Sequence, residues 1–198
     1  MGYLWIYEHH TDRKVGEFFE DPCGVVTNAE TICHLVEGRI LKWNGLPPFS
    51  VEELPSCLRQ EASHGWLKFK QGYAAYRIFR TTDGGPEAWL FTFDGYRIHL
   101  IEVFSLPLSV EVGPLLDQLG TPEMRLAHPL AAQLQRPLKR PDENLNEIIF
   151  ARRGLALLLG YAPDTPARLV RVRGFGVMLA ETYQELFVDL PPMRFFPE

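Results

Sequence analysis

The chain has 198 residues, 46% of them hydrophobic and 23% charged, with a formal net charge of −5. That is the balance of a globular protein with one hydrophobic core and excludes a disordered or fibrous chain. The most apolar run, GLALLLGY at 154–161, is far short of the roughly 20 residues that a membrane-spanning helix needs. The start, MGYLWIYEHHTDRKVGEFFED, has neither the basic flank nor the long apolar stretch of a signal peptide, so a cytoplasmic location away from the membrane is expected.

The charge is unevenly placed. Residues 1–65 hold ten Asp/Glu against five Lys/Arg, while residues 66–198 hold fifteen of each. The acidic third argues against direct nucleic-acid binding there and suits a basic partner, although an ordinary solvated surface has the same appearance. A single domain over 1–198 is expected, with 1–65 an acidic, partly helical segment and 66–198 a β-rich body.

In chain order, residues 28–37 (NAETICHLVE) predict a short helix capped by Asn28, with Ile32, Leu35 and Val36 on one face and Gly38 as its stop. The prolines of NGLPPF at 44–49 predict a loop. Ser50 with Glu53 matches a capping box, which predicts a second helix from Val51, cut short by Pro55. From Trp66 the period becomes two: WLKFK and YAAYRIFR predict antiparallel strands at 66–70 and 73–80.

Asp94-Gly95 between AWLFTF and YRIHLIEVF predicts a hairpin of 88–93 with 96–104, closed by a tight turn in which both central residues take φ > 0. Trp89, Phe91 and Phe93 then share a face, as do Ile98, Leu100 and Phe104 on the partner strand, in a meander with one buried face. Residues 109–119 (SVEVGPLLDQL) predict a helix capped by Ser109 and stopped at Gly120. The proline-rich stretch 126–146 predicts a long loop. Strands follow at 147–151, 155–159 and 168–174, with Arg152-Arg153-Gly154 as a turn, and ETYQELF at 181–187 predicts a closing helical turn. The expected fold is therefore α+β, an antiparallel β-sheet meander with helices packed on one face.

No motif for chemistry stands out. Cys23, Cys33 and Cys57 lack the short paired spacing of a disulfide framework or a zinc site, so free buried thiols, no disulfide and no metal are expected. A thiol nucleophile such as Cys57 would need a base, with His64 and His99 as the available residues. The glycines at 84–85, 154, 174 and 176 do not continue into a phosphate-loop pattern and read as turns. Arg152-Arg153 and Arg171-x-Arg173 read as a solvated strand edge. Glu17, Glu20, Asp21 and Glu30, interleaved with Phe18 and Phe19, match a protein interface, with aromatic anchors and carboxylates that steer a basic partner. The same residues would equally suit a segment packed on its own core.

The order of elements from Trp89 to Phe187 also has a likeness. A strand hairpin ending in IEVFS is followed by a helix closed by LGTPE, a variable loop, a strand carrying FARRGLALLLG, a last strand and a short helix (ETYQELF). Across about half the chain this resembles small bacterial immunity proteins encoded beside polymorphic toxins or type VI secretion effectors. The resemblance implies a cytoplasmic protein, not an enzyme and without a cofactor, that binds one cognate toxin or effector and blocks its active site or substrate path. The acidic first third would suit a basic nuclease toxin. A small-ligand-binding or regulatory module and an enzyme with an unrecognised site are the other classes open to the sequence.

Overall fold

The computed structural model describes residues 31–58, 60–69, 72–80, 85–104, 106, 111–127 and 143–188. Eight strands form one sheet in which every neighbouring pair is antiparallel. They fall into two consecutive four-strand meanders. The first is β1 (Gln60–Phe69), β2 (Gly72–Arg80), β3 (Glu87–Thr92) and β4 (Leu100–Phe104). The second is β5 (Met124–Ala127), β6 (Asn144–Phe150), β7 (Leu155–Tyr161) and β8 (Arg168–Phe175). Pairing of β4 with β8 joins them side by side, in the order β1-β2-β3-β4-β8-β7-β6-β5. Helix α1 (Ile32–Val36) precedes the first meander, and α2 (Val112–Leu119) connects the two. Helix α3 (Ala180–Tyr183) follows β8 and runs into a π-helical turn, Gln184–Val188.

Both faces of the sheet are buried, where one was expected. In β7, Leu157 belongs to one apolar cluster and its neighbour Ala156 to another, so the alternation of side chains sends them to opposite sides. The first face carries Leu90, Ile101, Val103, Leu157 and Val172 and packs with Ile32, Leu35 and Val36 of α1, Trp43, and Val112, Leu115 and Leu119 of α2. The second carries Phe91, Leu100, Ile149 and Phe175 and packs with Tyr183 and Leu186. Helical side chains therefore lie on both faces, which corrects the expected placement on one. The near-continuous apolar run of β7 follows from burial on both sides.

The hairpin between β3 and β4 forms, pairing Ala88 with Val103 and Phe91 with Leu100, but without the expected tight turn. Gly95 takes φ 78° and Asp94 does not take positive φ. The Asp94 carboxylate instead accepts N–H bonds from Tyr96 and Arg97 at 2.8 and 2.7 Å, giving an Asx-type turn. The connection then spans residues 93–99, because the chain after the turn pairs elsewhere: Ser50 bridges Arg97, and Ile98 N–H donates to Phe49 O. Ile98 consequently joins the first-face cluster and not that of Leu100.

The same pairing explains the helix that does not form at Val51. Ser50 N–H donates to the Glu53 carboxylate and Glu52 N–H to Ser50 Oγ, as a capping box would begin. Val51 N–H, however, donates to Tyr96 O, and residues 51–57 form only turns before Pro55 and Leu58 are buried. β1 starts at Gln60, six residues before the expected strand. Leu126, Ala127 and residues 144–146 belong to paired strands and not to a loop. Helix α1 ends at Gly38 with φ 75°, and α2 at Gly120, as expected. The helix expected from a Ser109 cap begins only at Val112, with Glu111 in the cap position and no side-chain cap bond; the cap expected at Asn28 lies outside the described residues.

Cys33 and Cys57 form a disulfide, with Cα atoms 5.7 Å apart, which overturns the expectation of free thiols. The folded turn at 51–58 brings Cys57 onto α1. Their 24-residue separation gave no sign of that contact, because it depends on tertiary packing. Cys23 lies outside the described residues.

Candidate functional site: a buried charge cluster on the second face

Two adjacent cross-strand rows on the second face carry a buried group of charged side chains. One row runs Ile78, Trp89, Glu102, Arg173, Ala156, Ile149, Met124; the next runs Arg80, Glu87, Phe104, Arg171, Leu158, Glu147, Leu126. At their centre Glu102, Glu147, Arg171 and Arg173 are all at most 6% exposed. Tyr183 of α3, fully buried, reaches the same group.

The geometry closes the cluster on itself. Arg173 donates Nε to Glu102 Oε1 at 2.9 Å and Nη1 to the Tyr183 hydroxyl at 2.8 Å. Tyr183 in turn donates to Glu147 Oε1 at 2.9 Å. Arg171 places Nη1 3.1 Å from Glu102 Oε1 and donates Nη2 to Glu147 Oε1 at 2.9 Å. Two carboxylates thus face two guanidiniums and the group is neutral. The Nε of Arg171 is buried without a hydrogen-bond partner.

Electrostatics hold Arg173 and Tyr183 each in one state. Burial opposes the charge on Arg173, but Tyr183, Glu102 and Glu147 outweigh it and raise its affinity for a proton above the ordinary guanidinium value. Burial pushes the Tyr183 phenol far above its usual range, Glu147 adds to the shift, and the two arginines oppose it. The phenol therefore stays protonated and keeps its donor role toward Glu147. What this arrangement does well is fix geometry: apart from Arg171 Nε the bonds run between defined partners, and the cluster ties β4, β6 and β8 to α3.

This corrects the reading of Arg171-x-Arg173 as a solvated strand edge. β8 is a central strand, and its arginines are neutralised by acids from β4 and β6. The signal was available in LIEVF, where a lone Glu interrupts an apolar run, and in NEIIF, where a Glu directly precedes one. Arg152, by contrast, is exposed. At the end of β7, Glu143 and Arg168 form a further pair, Nη2 to Oε2 at 2.7 Å.

Smaller polar groups lie elsewhere. In the β3–β4 connection His99 Nε2 is 3.8 Å from Asp94 Oδ2, and His99 Nδ1 faces the Phe93 N–H at 3.4 Å. Burial works to raise the Asp94 carboxyl, but the N–H groups of Tyr96 and Arg97 outweigh it and hold the group below its ordinary value. On β1, the bond from Arg77 holds Glu61 below its ordinary value despite some burial, and His64 sits 3.1 Å from the same carboxylate. Cys57 is in the disulfide, so neither histidine serves it as a base. Among the described residues no group of three or more His, Cys, Asp or Glu side chains is placed to hold a metal ion.

β1 is the edge strand of the first meander and, among the described residues, pairs only with β2. Residues 60–64 are exposed, and Trp66 is 58% exposed. The interface residues expected from the sequence, Glu17, Phe18, Phe19, Glu20, Asp21 and Glu30, lie outside the described residues. No protein-family model, curated protein or solved structure matches the chain. No helix among the described residues is long and apolar enough to cross a membrane.

Proposed function

We propose that this protein is an immunity protein that binds a cognate antibacterial toxin in the cytoplasm and neutralises it by direct contact, the toxin being basic and of the nuclease type. The observation that carries the reading is the contrast between a closed interior and, among the described residues, an edge strand paired on one side only. The clustered charges of the second face are committed to one another, whereas β1 offers a ten-residue edge with an exposed tryptophan. An edge strand supplies main-chain hydrogen bonds to a partner, and an exposed aromatic supplies an anchor. The ten acidic residues of 1–65, twice the number of basic ones there, favour encounter with a basic surface. Glu17, Glu20, Asp21 and Glu30 are proposed to steer that encounter, and Phe18 and Phe19 to anchor it.

Co-expression with the toxin encoded beside this gene tests the reading. Growth that depends on this protein, together with a stable purified complex, is the expected result. Reversing Glu17 and Glu20 to lysine should slow association at low salt, with the loss shrinking as salt rises. Absence of any complex with that toxin, or turnover of a small substrate by the isolated chain, overturns it.

A further inference from the structure

The two sulfurs of the disulfide have unlike surroundings. Cys33 is 4% exposed on α1, between core residues Ile32, Leu35 and Val36. Cys57 is half-buried, in the turn segment 51–58 that leads into β1. The start of this segment is held by Val51, whose N–H donates to Tyr96 O at 3.0 Å and whose carbonyl accepts from Arg77 Nη1 at 3.1 Å. Beyond Val51 the backbone-to-backbone bonds of the described turn are local, Glu53 N–H to Ser50 O and Leu58 N–H to Pro55 O. The disulfide is the covalent tie between this turn and the helix beneath it.

We propose that Cys33–Cys57 is a reversible thiol–disulfide switch that fixes or frees the turn at the entrance to edge strand β1, with a low-molecular-weight thiol and its disulfide as the exchange couple. Closure starts at the less buried cysteine: the Cys57 thiolate attacks the small disulfide RSSR, forming Cys57–S–S–R and expelling RS⁻. The Cys33 thiolate then attacks Cys57 Sγ, closing the protein disulfide and expelling a second RS⁻. The two cysteines lose two electrons and two protons, and one RSSR becomes two RSH. Opening is the reverse, with the incoming thiolate attacking Cys57 Sγ and Cys33 leaving. In a reducing compartment the pair rests as the dithiol and closes under oxidation. This does not depend on the toxin-binding reading.

The experiment equilibrates the folded protein in glutathione buffers from fully oxidised to fully reduced, quenches with acid, alkylates the free thiols and weighs the chain. The Cys23→Ser variant is run beside it to remove the third thiol. The bonded fraction should pass fully and reversibly between the two states while the sheet stays folded. In hydrogen exchange, amides of residues 51–58 should exchange at least ~tenfold faster in the reduced protein, and those of β6, β7 and β8 should not change. Cys23→Ser/Cys33→Ser should take up one glutathione at Cys57, and Cys23→Ser/Cys57→Ser none at Cys33. A bond that resists reduction until the sheet unfolds, thiols that never pair, or equal exchange at 51–58 in both states overturns the proposal. The exchange measurement uses the native chain and holds even if a variant fails to fold.

Discussion

On the first face of the sheet, Leu90, Ile101, Leu157 and Val172 meet α1, α2 and Trp43, whereas on the second the adjoining positions present Glu102, Arg171, Arg173 and Glu147 to Tyr183. Both are buried, but they hold the fold differently. Apolar packing is non-directional, so the first face tolerates changes that conserve volume. Buried ion pairs cost desolvation and offset it only through good geometry, so the second face contributes a defined arrangement more than net stability. Its α3 is anchored by Tyr183 at one hydroxyl, with a required donor on one side and a required acceptor on the other.

The largest effect is expected at Arg173. Arg173→Met leaves Glu102 and Glu147 sharing one guanidinium in a dry site and should cost about 3–5 kcal/mol in urea unfolding. The double replacement Glu102→Leu with Arg173→Met restores neutrality and should lose less than the sum of the single losses. Strict additivity would show that the two faces do not differ in kind. On the first face Leu157→Ala should cost about 3 kcal/mol through the cavity it leaves, but Leu157→Met under about 1.5 kcal/mol. If the methionine costs as much as the alanine, packing there is as directional as on the second face.

Tyr183→Phe comes next, at about 1–3 kcal/mol near neutral pH, since it removes Glu147's phenolic donor. It also has a pH signature. Because the folded state raises the Tyr183 phenol above its ordinary value of 10.0, its contribution is fully present below that value and is lost as pH climbs above it. Wild-type stability should therefore fall more steeply above about pH 10 than that of Tyr183→Phe. Parallel curves would remove the assignment. The smallest effect is expected at the edge, where Trp66→Ala should change stability by less than about 0.5 kcal/mol yet weaken the toxin complex. A large loss of stability would place Trp66 in the core and not at an interface.

Strand β7 was legible in the sequence, because a dense run of Leu bounded by turns suits a strand buried on both sides, while the first residues of β6 were expected in a loop. Turns were legible where one residue decides them: Gly154 takes φ 58° after Arg153, as the Arg-Arg-Gly pattern suggested. Its carbonyl also accepts the Trp43 indole N–H at 2.8 Å, a contact across 111 positions that no local pattern carries. Ser50 shows the limit of local reading: its capping bonds form, and tertiary pairing with Arg97 still prevents the helix. The buried cluster was hidden for a related reason. Arg171 and Arg173 look like surface charges until the topology puts β8 between β4 and β7, next to acids about 70 and 25 positions away.

The two ends of the sheet are unequal. β1 is ten residues long, while β5, at the other end, has only four. Among the described residues, a second copy could add its own strand to only one of these ends with a useful number of hydrogen bonds. Such an addition, β1 against β1 about a twofold axis, uses up the long margin of both copies and leaves two short ones facing outward. Strand-to-strand assembly of this chain would then stop at a pair, because a ladder needs a donor and an acceptor margin on every member. Among the described residues, the brevity of β5 leaves little ladder at that end for a further strand to extend, and its exposed Arg125 adds a charge there.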